Sequence, residues 1–162
     1  MIWYWLQNND DDASQAVGDC NASNPTRLTM RVRNYRDLLV WQRAIDFVAE
    51  IYRISAGFPR EEQFGLTAQV RKASVSVSAN IAEGSGRATS RDFLNFLSHA
   101  RGSLKEAESM VFVAQGLALV SAADCTEALR LADETSRMLA GLRVSIAKRL
   151  PTPHSPLPTG GQ

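Results

Sequence analysis

Between Tyr35 and Leu150 the chain contains a single proline, Pro59. Apolar residues recur through this stretch at three- and four-residue spacings, so a backbone with one break in 116 residues favours long helices. The flanks differ. Residues 1–34 open on the cluster Ile2-Trp3-Tyr4-Trp5-Leu6, pass through Asp10-Asp11-Asp12 and continue in Ser, Asn, Gly and Pro. They read as a disordered leader or as sequence upstream of the true start. Residues 151–162 hold Pro151, Pro153, Pro156 and Pro158, which cannot continue a helix, and read as a disordered proline-rich tail. The folded unit is therefore expected to be one domain, residues 35–150.

Four helices fill it. The first, 37–56, sets Leu38, Trp41, Ala44, Ile45, Val48, Ile51 and Tyr52 on one side of a helical wheel as the expected core face. Val40, Phe47 and Ile54, spaced by sevens, form a second apolar line, expected to be the interface with another copy of the chain. The second helix, 62–83, aligns Leu66, Val70, Ala73, Val77 and Ile81. Its Ser74–Ser78 segment alternates as a strand would, but the helical period persists for about five turns and outweighs it. Gly84 and Gly86 are expected to stop this helix. Thr89 and Asp92 form a capping box at the start of the third helix, which runs to Gly116 with the seam Phe93, Leu97, Ala100, Leu104, Ala107 and Val111. Ser121 and Asp124 repeat that signal for the fourth, whose inner face is Ala128, Ala132, Leu139, Leu142, Ile146 and Leu150. Helices about 30 Å long with short connections predict an all-α, antiparallel up-down-up-down four-helix bundle.

The chemistry these helices can carry is narrow. Cys20 and Cys125 lie far apart with no CxxC pair, which argues against a disulfide framework or a zinc site and fits a reducing, cytoplasmic setting. No run approaches the roughly 18 apolar residues of a membrane span. His99 and His154 are the two histidines. Neither belongs to a Glu-x-x-His motif, and no Gly-x-Ser-x-Gly elbow is present, so no catalytic residue, metal or cofactor is expected. Cys125, in the first turn of the fourth helix, reads as a packed thiol.

What remains is electrostatic. The net charge of +1 conceals an asymmetry: residues 1–30 hold four acids and one base, which leaves +4 on the remainder. Arg87 and Arg91, in a loop with Gly84, Gly86 and hydroxyls, suit a phosphate. Arg130, Arg137 and Lys148 fall within about 20° on the wheel of the fourth helix, and Arg71 and Lys72 lie outside the second. These seven are the candidate nucleic-acid-binding residues. Each patch is modest, and a ring of subunits would multiply it.

Several blocks are also familiar. Tyr35-Arg36-Asp37-Leu38-Leu39-Val40-Trp41-Gln42-Arg43-Ala44, Phe64-Gly65-Leu66-Thr67-Ala68-Gln69-Val70-Arg71-Lys72-Ala73, Ala79-Asn80-Ile81-Ala82-Glu83-Gly84, and Phe93-Leu94 to Ala100-Arg101-Gly102-Ser103-Leu104-Lys105-Glu106 closely resemble bacterial four-helix bundle proteins first noticed in intervening sequences of 23S ribosomal RNA genes. A related branch is the accessory protein of diversity-generating retroelements, a barrel-shaped homopentamer that works with a reverse transcriptase and nucleic acid. The resemblance implies a ring-like homo-oligomer, a pentamer as in that branch, and a non-enzymatic role. Asn80 and Glu83 match the family block; Asn80 borders the core stripe and is expected to make a structural hydrogen bond, with Arg101 and Ser103 as candidate partners. Many relatives have a proline where this chain has Ser78, so its second helix is expected to be straighter. Residues 1–30 match nothing in the family, and translation is expected to start at or near Met30. An intact mass including Met1 to Thr29 would refute that. Two functions stay open: an oligomeric accessory module binding RNA or DNA, with a reverse transcriptase as a candidate partner, and a protein-interaction scaffold that binds no nucleic acid.

Overall fold

A computed structural model describes residues 34–148 and 150. The expectations for the leader, for a start at Met30 and for residues 151–162 lie outside them. Among the described residues the chain is all-helical, without strands: α1 (Leu39–Ser55), α2 (Leu66–Ser85), α3 (Ser90–Gly116) and α4 (Ala122–Ala147), with 3-10 turns at Tyr35–Asp37 and Arg60–Glu62. Each helix packs on its neighbours in chain order and α4 closes back on α1, while the diagonal pairs do not meet. The result is a four-helix bundle around one core. No helix is long and apolar enough to cross a membrane among the described residues.

The helix starts follow local chemistry. Asn34 Oδ1 accepts from the Arg36 amide at 3.0 Å and Gln42 donates to the Arg36 carbonyl at 2.8 Å, so a separate turn precedes α1. Leu38 is extended between them, which moves the start of α1 from 37 to Leu39. The second helix starts at Leu66, later than the expected 62, because Pro59 sets up a 3-10 turn instead. Glu62 then caps α2 from outside, its Oε2 accepting from the Leu66 amide at 3.0 Å. Thr89 and Ser121 act as N-caps, each hydroxyl accepting from an amide three residues on at 3.1 Å and donating to that residue's carboxylate at 2.6 Å.

Ser74 to Ser78 is helical. The hydroxyls of buried Ser74 and Ser78 donate to the carbonyls of Arg71 and Val75, so their burial leaves no orphan donor. With an amide at Ser78, α2 runs unbroken, and it continues through Gly84. That glycine is part of the helix and not its stop: a Cβ there would lie 2.6 Å from Phe96 Cβ and 2.8 Å from a ring carbon of Phe93. Small residues along the same side, Ala73 and Ser76 on α2 and Ala100, Ser103 and Ala107 on α3, let these helices share the most extensive contact in the bundle.

The largest correction concerns α1. Val40, Phe47 and Ile54, expected at an interface between copies, are 4%, 0% and 7% exposed and sit in this chain's own core with Ala44 and Ile51. These five recur at spacings of 4, 3, 4 and 3, within about 80° on the wheel, which is the seam a shallow crossing requires. Leu38, Trp41, Ile45, Val48 and Tyr52, expected as core, lie to one side: the first four are half-buried and Tyr52 is exposed. The seam of α3 is buried as expected, and α4 adds Cys125, Leu131 and Thr135 to its inner face, with Leu142 half-buried against the core. Cys125 is a buried free thiol.

Candidate nucleic-acid interface

The seven candidate cations divide into two groups once their neighbours are in place. Arg130 is held by Glu127, at 2.7 Å, and by Glu134, at 2.9 Å. The hydrogen bond to Glu127 raises the Arg130 guanidinium above its ordinary range, and the same bond lowers the Glu127 carboxyl. Arg137 pairs with Asp133 at 3.1 Å. Arg87 pairs with Glu83 one turn earlier and lies over the Phe96 ring, 4.5 Å from its centroid. Arg71 donates its Nε to Ser55 Oγ at 2.8 Å and stacks 4.6 Å over Tyr52, which makes it a brace between α1 and α2. These four are engaged within the chain.

Lys72, Arg91 and Lys148 form the second group. They are exposed and pair with no acid among the described residues. The wheel line that joined Arg130, Arg137 and Lys148 therefore keeps one uncompensated charge, because acids three and four residues away neutralise the other two.

The α2–α3 loop keeps its hydroxyls and the N-terminus of α3, but Thr89 and Asp92 already fill the cap. Arg91 is the cation that loop leaves free. Arg143, which the sequence reading passed over, reaches across from α4 to the Ser98 hydroxyl on α3 and brings the end of α4 beside the start of α3. No periodic signal marked Arg143; only its contact with Ser98 places it on the face of α3 that Arg91, seven residues earlier, also occupies. On α1, Arg53 bonds Glu50 and donates to the Asp124 carbonyl at 2.9 Å, a join between α1 and the start of α4. That join borders an open cleft of about 570 Å³ lined by Ile54, Gly57, Gln115, Leu119 and Ser121.

The polar pair expected across α2 and α3 is indirect. Asn80 Nδ2 donates to the Ser76 carbonyl at 2.7 Å and to the Ser76 hydroxyl at 3.1 Å, and Ser103 donates to that same hydroxyl at 3.1 Å. Ser76 is the link the sequence reading missed. Arg101 is exposed on another side of α3, and Glu83 is engaged by Arg87. His99 is exposed beside Phe96, with ring centroids 5.9 Å apart. Among the described residues no group of three His, Cys, Asp or Glu side chains could hold a metal ion.

In comparisons with known proteins, the sequence model of the 23S rRNA-intervening sequence protein family matches residues 36–141. That span runs from the turn before α1 to within two turns of the end of α4. No curated protein matches the chain.

Proposed function

We propose that this chain, which belongs to the 23S rRNA-intervening sequence protein family, is a non-enzymatic accessory protein of the cytoplasm that binds RNA or DNA as a ring-like oligomer. Its helices run antiparallel, up-down-up-down, and its subunits form a homopentamer. A reverse transcriptase is the partner this reading favours. Binding rests on phosphate contacts, not base reading, since no RNA-recognition motif or base-reading helix is evident in its sequence.

The observation that carries the reading is the pair of exposed candidate cations Arg91 and Lys148, which meet no acid among the described residues while Arg87, Arg130 and Arg137 are held in ion pairs. With Val40, Phe47 and Ile54 in the core, the surface offered to other subunits is the half-exposed stripe Ile45, Val48 and Tyr52 of α1 together with exposed Val75 of α2.

A filter-binding titration with single-stranded RNA tests the reading. Saturable binding at low salt that falls steeply as salt rises is the expected result. Absence of binding at low salt removes it and leaves the protein-interaction scaffold. One observation favours that second reading: Arg87, Arg130 and Arg137, three of the seven candidate cations, are already neutralised within the chain.

A further inference from the structure

The charges of the bundle are segregated along its axis. Contacts fix which helix ends lie together: Gly84 of α2 touches Phe93 and Phe96 of α3, Arg143 of α4 meets Ser98 of α3, and at the opposite end Arg53 of α1 meets Asp124 of α4 and Arg71 of α2 meets Ser55 of α1. With each helix divided near its midpoint, residues 34–46, 76–103 and 135–148 make one half. They hold eight Arg or Lys against four Asp or Glu. Residues 47–75 and 104–134 make the other half and hold six against nine. The bundle thus carries +4 at one end and −3 at the other, a separation that its near-neutral total conceals.

Ion pairs account for part of it. At the acidic end Glu50, Glu108 and Glu127 are engaged by Arg53, Lys105 and Arg130, Glu62 caps α2, and Asp133 and Glu134 are reached from the basic half by Arg137 and Arg43. At the basic end Asp92 is spent on the α3 cap, Glu83 on Arg87 and Asp46 on Arg43; among the described residues Arg36, Arg91, Arg101 and Lys148 pair with no acid, and Asp37, next to Arg36 in the chain, pairs with no base. Arg143 is satisfied by a neutral hydroxyl, so its charge also stays uncompensated. Lys148 follows Arg143 by five residues, about 7.5 Å of helix rise, which carries it from the level of Ser98 toward the start of α3. Arg143 and Lys148 also lie beyond the residues matched by the family model.

We infer that the polyanion docks on this end of the bundle, on Arg36, Arg91, Arg143 and Lys148, and not along the side of α4. The inference rests on the nucleic-acid-binding reading and adds the location of the contact. Uncompensated cations gathered at one end meet the phosphates of a backbone and release its counterions. Arg130 and Arg137 contribute less, because each already has a carboxylate beside it that a phosphate must displace.

Two double variants test this with the same change in net charge: Arg91→Gln with Lys148→Gln at the end, and Arg130→Gln with Arg137→Gln on the side. Each is titrated with a short single-stranded RNA and with the DNA of the same sequence, and circular dichroism confirms that both keep their helices. The expected result is a loss of at least about tenfold in affinity for the end variant, with a salt dependence shallower by about two released ions per chain, and wild-type binding within about twofold for the side variant. RNA and DNA arms that respond alike support backbone contact. Equal losses in the two variants overturn the location and leave the nucleic-acid reading standing, since net charge alone would then set affinity. Absence of binding by the wild type at low salt overturns both. If the wild type instead forms salt-sensitive assemblies in light scattering that the end variant abolishes, the surface belongs to the acidic end of a second copy, and the inference is overturned.

Discussion

Thr135 has no exposed surface, and its hydroxyl has no hydrogen-bond partner among the described residues. A buried hydroxyl without a partner keeps its desolvation cost and gains nothing in return. Thr135→Val is therefore expected to stabilise the protein by about 1 kcal/mol, read as a higher midpoint in thermal unfolding. Ala118 offers a second site of the same kind. It adopts φ 55° after α3, where its amide bonds the Gln115 carbonyl and the Leu119 amide bonds the Ala114 carbonyl, a Schellman turn that usually places glycine at this position. Ala118→Gly relieves the left-handed strain and is expected to raise the melting midpoint, by about 1 kcal/mol of stability, whereas Ala118→Val lowers it. Gly84 is the reverse case. Gly84→Ala drives a methyl group into Phe93 and Phe96 and is expected to cost about 1–3 kcal/mol in denaturant unfolding.

At the scale of elements, the caps and seams were legible because they are local or periodic. Thr89 three residues before Asp92 needs nothing beyond its own turn to fix the start of α3, and Thr89→Ala is expected to cost about 1 kcal/mol of stability. The seam of α3 was legible because a single apolar stripe left one choice of face. On α1 two stripes lie about 120° apart, each long enough to be a core, and the wheel cannot say which one faces inward. Gly84 misled for a related reason: a glycine near a helix end signals a stop, and only the closeness of Phe93 and Phe96 gives it another role. The charges of α4 align as a basic line on the wheel because the wheel does not show that Glu127, Asp133 and Glu134 reach Arg130 and Arg137 as partners. Their pairing has a pH signature. The Glu127 carboxyl is held below its ordinary value by Arg130, so its contribution is present above that value and disappears as pH falls through the lowered one. Both groups are exposed, so the effect is small; Arg130→Gln is expected to flatten the acid limb of a plot of stability against pH.

For the whole molecule, the burial of Phe47 changes what a substitution there would report. Phe47→Lys places an unpaired charge in the core and is expected to unfold the chain, not merely to separate subunits. Val48→Lys, on the half-exposed stripe, is the informative test of assembly: helicity is expected to persist in circular dichroism while the mass in light scattering drops to that of one chain. A parental mass would show that this stripe is not the interface. The axial separation of charge belongs to this scale as well. It arises from four helices of unremarkable composition and becomes a property of the bundle only when their ends are brought together.

The amino-acid sequence by itself determined the number of helices, their caps and most of the buried seams, because these depend on spacings within about four turns of chain. It also determined which residue types were available, among them two histidines, neither in a Glu-x-x-His motif. Tertiary structure decided which of the two stripes on α1 became core, which arginines were neutralised and which cations shared an end. Those outcomes depend on contacts between residues far apart in the chain, such as Arg143 with Ser98 and Gly84 with Phe96, which no periodicity along one helix encodes.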